Sequence, residues 1–186
     1  MFNLIMKLST QKLYLFSIVA STIFGACSSI PEGIEAVDDL DIDKYAGTWY
    51  EIARMDSRFE KNLVNVTATY TLQDGGNIEV KNRGYDTIDN KWNDIAGKAK
   101  LANEVKNSML KVSFFGPFYA GYNIIALDQK DYSYALVCGS DKDYLWVLAR
   151  DPNFSNSKTQ ELIATAKELG FGTDKLVIVP QEGSVE

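Results

Sequence analysis

The sequence contains no histidine. That absence removes the usual general base of a serine or cysteine triad, the commonest zinc ligand and the usual haem ligand. Cysteine is nearly absent as well, with only Cys27 and Cys138 among 186 residues. With Cys27 modified, Cys138 has no partner, and the fold must hold without a disulfide. A chain of this length can bury such a core in one domain and is too short for two comfortable ones. No block of basic residues occurs, and the net charge is −6. A phosphate backbone would be repelled, which argues against nucleic acid as a partner. Proline is scarce, whereas tyrosine and phenylalanine are plentiful, so the chain reads as packed rather than disordered.

The first 26 residues read as a cleavable export signal. Lys7 and Lys12 are followed by an apolar run over 13–26, broken only by Ser17, Ser21 and Thr22, and no acid precedes Glu32. A membrane span needs about 20 apolar residues, so the run is a signal-peptide core. The tetrad Phe24-Gly25-Ala26-Cys27 resembles the bacterial lipobox, with Phe24 where leucine is usual. That resemblance implies that Cys27 is diacylglycerated and becomes the new N-terminus. Each buried CH₂ of an acyl chain contributes about 0.8 kcal/mol, so several chains would anchor the protein to a membrane. Removal of 1–26 leaves 17 basic and 25 acidic residues, near −8. The anchor, not headgroup charge, would hold the domain there. Ser28 is similar to the sorting residue for the outer membrane of a double-membraned bacterium. Residues 27–39 read as a lipid-attached tether, 40–180 as the folded domain and 181–186 as a tail.

From Gly47 onward the chain alternates with period two. Val64, Val66, Ala68, Tyr70 and Leu72 define one face, and Asn65, Thr67, Thr69, Thr71 and Gln73 the other. Asp74-Gly75-Gly76-Asn77 is a hairpin turn by composition. Ile78, Val80, Asn82 and Gly84 line the return strand, and Ile95, Gly97, Ala99 and Leu101 the next. Further strands are expected over 109–115, 122–128, 134–139 and 144–150, giving eight with the one at Gly47. Ser157 and Gln160 form a capping-box signature, and Leu162, Ile163, Ala166 and Leu169 form a helical stripe closed by Gly170. A short strand over 176–179 follows. The fold expected is all-β: an eight-stranded antiparallel up-and-down barrel, a C-terminal helix packed outside and a short final strand.

Two segments at opposite ends of this pattern carry a family resemblance. Gly47-Thr48-Trp49-Tyr50-Glu51 resembles the Gly-X-Trp signature of the first lipocalin strand. Asp143-Tyr144-Leu145-Trp146-Val147-Leu148-Ala149-Arg150 resembles the last-strand signature ending in arginine. Phe59-Glu60, Thr67-Ala68-Thr69-Tyr70, Phe114-Phe115-Gly116-Pro117-Phe118-Tyr119 and Tyr134-Ala135-Leu136-Val137-Cys138-Gly139 are similar to the bacterial lipocalins, with an apolipoprotein D-like group as their animal relatives. The resemblance implies a lipocalin calyx in which Trp49 closes the barrel floor and Arg150 lies across its ring.

A barrel of this size either fills itself or holds one small ligand. The alternation places Ala53, Val66, Ala68, Tyr70, Val80, Asn82, Gly97, Ala99, Val112, Phe114, Tyr122, Ile124, Ala135, Tyr144, Trp146 and Leu148 inside. Small residues among them leave room, and Asn82 with the hydroxyls of Tyr70, Tyr122 and Tyr144 supplies sparse polarity. In this phasing no charged residue points inward, and Arg54, Arg58 and Arg83 are candidates at the mouth. The function expected is storage or transport of a membrane-derived amphiphile, a fatty acid or lysophospholipid, without cofactor or metal; monomer and homodimer both stay open. A lipocalin-type prostaglandin synthase with a luminal cysteine gives the competing, enzymatic reading at Cys138. Alternation instead puts Ala135 and Val137 inside and Cys138 outside, where apolar burial would make the thiol inert.

Overall fold

The computed structural model describes residues 30–58, 60–102 and 106–181. Cys27 and the export signal lie outside these residues. A single-turn helix α1 (Ile42–Tyr45) is capped by Asp41, whose carboxylate accepts from the amides of Asp43 and Lys44. Eight antiparallel strands follow: β1 (Gly47–Met55), β2 (Leu63–Leu72), β3 (Ile78–Asp86), β4 (Lys91–Leu101), β5 (Met109–Ser113), β6 (Ala120–Leu127), β7 (Tyr134–Cys138) and β8 (Leu145–Ala149). Helix α2 (Asn156–Glu168) and a short β9 (Leu176–Ile178) complete the chain. Each strand pairs with its sequence neighbour, and β8 returns to β1. The expected up-and-down barrel is the one formed.

The strand directions put α1 and the β2–β3, β4–β5 and β6–β7 connections at one end, the floor. The remaining hairpins frame the mouth. The barrel's last seam is only half zipped. β1 and β2 pair from Gly47–Tyr50 against Tyr70–Thr67, after which β1 turns to β9 through Ala53–Met55. Residues 179–181 fill the gap. The Val179 amide donates to the Ile52 carbonyl, and the Gln181 side chain donates to the carbonyls of Glu51 and Val66.

Two apolar clusters stabilise this arrangement. One fills the lower barrel, with Tyr45, Trp49, Tyr70, Val80, Leu110, Ile124, Val137 and Leu148 among its members. The other lies between the outer wall and α2, where Leu162, Ala166 and Phe171 meet Leu136, Leu145, Val147 and Ala149. Among the described residues, the two clusters together span the chain from Ile30 to Phe171 and Leu176.

Four expectations need correction. Residues 30–39 are not a free tether: Pro31, Ile34 and Ala36 are buried, and the Val37 amide donates to the Ile124 carbonyl. Their apolar side chains find the outer cluster, which a linker reading of proline and glycine overlooks. The cap of α2 is Ser155, accepting from the Lys158 amide, and not Ser157. β2 does not alternate without interruption, because an extra residue beside Asn65 (φ +52°) breaks the register and leaves Val64 opposite Tyr85 on the outer face. The fourth concerns β1, and it changes the site.

Candidate ligand-binding site

β1 carries a bulge between Glu51 and Ala53. Below it Glu51 pairs with inward-facing Leu148; above it Ala53 pairs with Val147 and Arg54 with Trp146. The extra residue inverts the phase, since side chains on a strand alternate between faces. Ala53 therefore points outward and is buried with the helix-side cluster. Arg54 points inward instead, and Glu51, below the bulge, shares the inward face of Trp49; they are 3% and 5% exposed. The lumen thus holds charge, contrary to the expectation that no charged residue points inward. One signal in the sequence pointed to this: Glu51 lies two residues from Trp49, so period two alone puts it on the inward face.

The floor is closed by packing and by hydrogen bonds. The Trp49 indole donates to the Tyr45 carbonyl at 2.8 Å, and the Arg150 guanidinium carbon lies 3.9 Å from the centre of the Trp49 ring. Just above, Tyr45 and Tyr122 share a 2.6 Å hydroxyl contact, and Tyr70 donates to Tyr122 at 2.8 Å. Burial, the dominant cause, raises all three phenols above their ordinary range, so they stay neutral. Tyr70 and Tyr122 thus satisfy each other and Tyr45 in a filled lower barrel. Val80, Ile124 and Leu148 are packed there too, all but fully buried.

The upper barrel differs. Ala68, Asn82, Ile95, Phe114 and Trp146 face the lumen yet stay only partly buried, so water reaches their side chains. Val66 and Val112 are buried in the same walls. Tyr144 stands at the rim, 37% exposed, its ring stacked 6.2 Å from that of Trp146. Ile95 and Gly97 line this space as well and belong with the sequence-expected wall. Gly97 is needed there because a Cβ would lie 2.6 Å from the Ser113 carbonyl oxygen and 2.7 Å from the Phe114 ring. Arg83 is not a lumen group: it stands on the outer face with its guanidinium 4.4 Å from the Trp92 ring centre. Arg58 is exposed in the β1–β2 loop.

The charged group in the lumen is compact. Arg54 Nη1 donates to Glu51 at 2.8 Å, and its Nη2 donates to the carbonyls of Glu60 and Leu63. The Glu60 carboxylate accepts from Ser57 Oγ at 3.2 Å and from the Trp146 indole at 3.4 Å. Burial, with the charge of Glu60 adding to it, pushes the Glu51 carboxyl up to about 8. Arg54 Nε and Asn82 Oδ1 are buried without a hydrogen-bond partner among the described residues.

Cys138 sits outside the lumen, fully buried in the helix-side cluster, while Ala135 and Val137 face inward. Burial pushes its thiol up to about 12. A thiol so placed reaches no luminal substrate and is scarcely ionised at neutral pH. No group of three or more His, Cys, Asp or Glu residues is placed to hold a metal ion among the described residues.

A closed antiparallel barrel, plugged at one end, open at the other and flanked by one helix, has the architecture of a calyx-type binding protein. The family profile for the Lipocalin-like domain matches residues 40–181, and the chain belongs to the lipocalin family. It is 49% identical over 167 residues to the outer membrane lipoprotein Blc of Escherichia coli (strain K12), covering 89% of this chain and 94% of that one. The corresponding Citrobacter freundii protein is 48% identical over 170 residues, covering 90% and 96%. Mouse apolipoprotein D is 35% identical over 135 residues, covering 69% and 68%. Among solved structures, insecticyanin from the tobacco hornworm Manduca sexta superposes with a TM-score of 0.65 at 19% identity, covering 84% and 88%. At that identity the likeness is one of fold.

Proposed function

We propose that this protein is an outer-membrane lipocalin, lipid-anchored at Cys27, that holds a small membrane-derived amphiphile in the upper half of its barrel. The observation that carries this reading is the contrast along the lumen. Its lower half is packed dry, while the upper half is walled by Ala68, Ile95, Phe114 and Trp146 that water still reaches. Apolar walls with few polar groups are what an acyl chain requires. A fatty acid or lysophospholipid fits that description, and its tail need not displace the tyrosine cluster below. The bacterial relatives are named outer membrane lipoproteins, which supports the anchor and its location. The inert setting of Cys138 weighs against a luminal thiol enzyme.

Trp146 makes this reading measurable. Trp49 is buried at the floor and Trp92 lies on the outer face, so a ligand in the upper lumen touches only the third tryptophan. Titrating a long-chain fatty acid or lysophospholipid into residues 28–186 should change tryptophan emission saturably. Trp146→Phe should remove most of that change and Trp92→Phe little of it. A wild-type protein with no saturable response, and no lipid retained through native mass spectrometry, overturns the reading.

A further inference from the structure

We infer that the upper lumen contains an ammonium-binding subsite, in which Glu51 and Glu60 receive the cationic head of an amphiphile beside the stacked rings of Tyr144 and Trp146. The inference rests on the cavity reading above and adds a head-group chemistry to it.

The argument is one of charge balance. Two carboxylates, Glu51 and Glu60, share one buried guanidinium, Arg54. Arg54 pairs with Glu51, and its second nitrogen is spent on main-chain carbonyls, not on the Glu60 carboxylate. Glu60 forms no ion pair among the described residues; its carboxylate accepts from the Ser57 hydroxyl and the Trp146 indole and shares a hydrogen bond with the Glu51 carboxyl. The other cations of that loop, Arg58 and Lys61, are exposed. From β2 the group facing Glu51 is the neutral phenol of Tyr70, and from β8 it is Leu148 and Trp146. The cluster is therefore one positive charge short, and in its unliganded form a proton on Glu51 makes up the deficit.

An ammonium head supplies that missing charge. Its arrival converts the Glu51 acid to a carboxylate: the O–H bond breaks, the electron pair stays on oxygen and the proton leaves to solvent. A carboxylate head placed there would add a third anion to one cation in a poorly hydrated space, which is unfavourable, so a fatty acid in this cavity must keep its head away from Glu51 and Glu60 and bind more weakly. Three further features suit an ammonium. The Tyr144 and Trp146 rings, 19° from parallel, stand together at the rim, and the Trp146 indole N–H reaches Glu60, so the ring pair lies close to the carboxylate that an ammonium would meet. Asn82 Oδ1 is a buried lumen acceptor with no donor among the described residues. The rim position of Tyr144 also leaves room for whatever the ammonium is attached to.

The test compares three twelve-carbon probes, n-dodecylammonium, dodecanoate and dodecanol, by calorimetry on residues 28–186 below their micelle concentrations. At pH 8.5 the ammonium should bind at least about tenfold more tightly than dodecanoate. Its affinity should fall by up to about tenfold per unit as pH drops below 8, where the proton competes. Titrations at pH 7 in two buffers of different ionisation enthalpy should register close to one proton released per ammonium bound, and none for dodecanol. Glu51→Gln should abolish that release and the pH dependence. Glu60→Gln supplies the same comparison, with reduced ammonium preference, if the first variant does not fold. Equal or tighter binding of dodecanoate, or ammonium binding without proton release, overturns the subsite while leaving the cavity standing. Failure of all three probes, dodecanol included, overturns the cavity reading itself.

Discussion

The Arg150 guanidinium covers Trp49 at 3.9 Å and at the same time donates to the carbonyls of Lys44, Tyr45, Ala46 and Thr48. One side chain thereby ties the last barrel strand to α1 and to the start of the first. Gly47 makes room for it: a Cβ there would stand 3.3 Å from Arg150 Nη1, and the residue adopts φ +95°.

Arg150→Ala should therefore lower stability by about 2–3 kcal/mol in urea unfolding, from lost charge-assisted hydrogen bonds and the ring contact. Arg150→Lys should recover less than half of that, because an ammonium cannot reproduce the planar fork. Amphiphile affinity should stay within about threefold in the folded variants. A large affinity loss at unchanged stability would move Arg150 into the ligand site.

Stability should also depend on Glu51. Its carboxyl is raised from the usual 4.5 to about 8 in the folded protein. A carboxyl raised by folding contributes stability that is fully present below its unfolded pKa and is lost as pH rises through the folded one. The melting temperature should thus decline between about pH 5 and 8.5, and Glu51→Gln should flatten the decline. With no histidine in the chain, few other side chains titrate in that window. An identical slope in the variant would show that Glu51 is ionised throughout.

Gly97→Ala should destabilise by about 1–3 kcal/mol. The added methyl meets the Ser113 carbonyl, which is backbone and cannot swing aside as a side chain would. Pairing the change with Phe114→Leu should therefore leave most of the loss in place, read by the same urea midpoints.

The Cys138 thiol should resist alkylation at pH 8 in the folded protein and react at once in urea. Rapid labelling of the native barrel would restore a role for it in chemistry.

Much of this was legible from the amino acids, and the reasons are local. Alternation through Ala68, Tyr70, Val80, Gly97 and Ala99 is a backbone property, and it placed the inward face of three strands correctly. Cys138 fell outside for the same reason. Ala53 did not, because a bulge adds one residue without any change in composition, and everything beyond it turns over. Arg54 was hidden by that single insertion, whereas Glu51, two residues after Trp49, was already on the inward face by alternation. The fate of the tyrosines was hidden differently: three hydroxyls can either face a ligand or satisfy one another, and only Tyr45, contributed by a helix outside the strand pattern, decides. Residues 30–39 looked like linker because their apolar side chains bury against a wall that no local period announces.

The half-zipped seam bears on how the chain reaches this state. Gln181 joins Glu51 and Val66 across 130 and 115 residues of sequence, among the most distant partners in the fold. Contacts of such separation are slow to form, since a long loop must be closed before they repay its lost entropy. They also cannot exist until almost the whole domain has emerged from the ribosome or crossed the inner membrane. A chain still in transit would carry an incomplete wall beside the buried Glu51 carboxyl, with its first and second strands joined only near the floor. The barrel is thus finished from its C-terminal end, and its closure waits on the last residues of the domain.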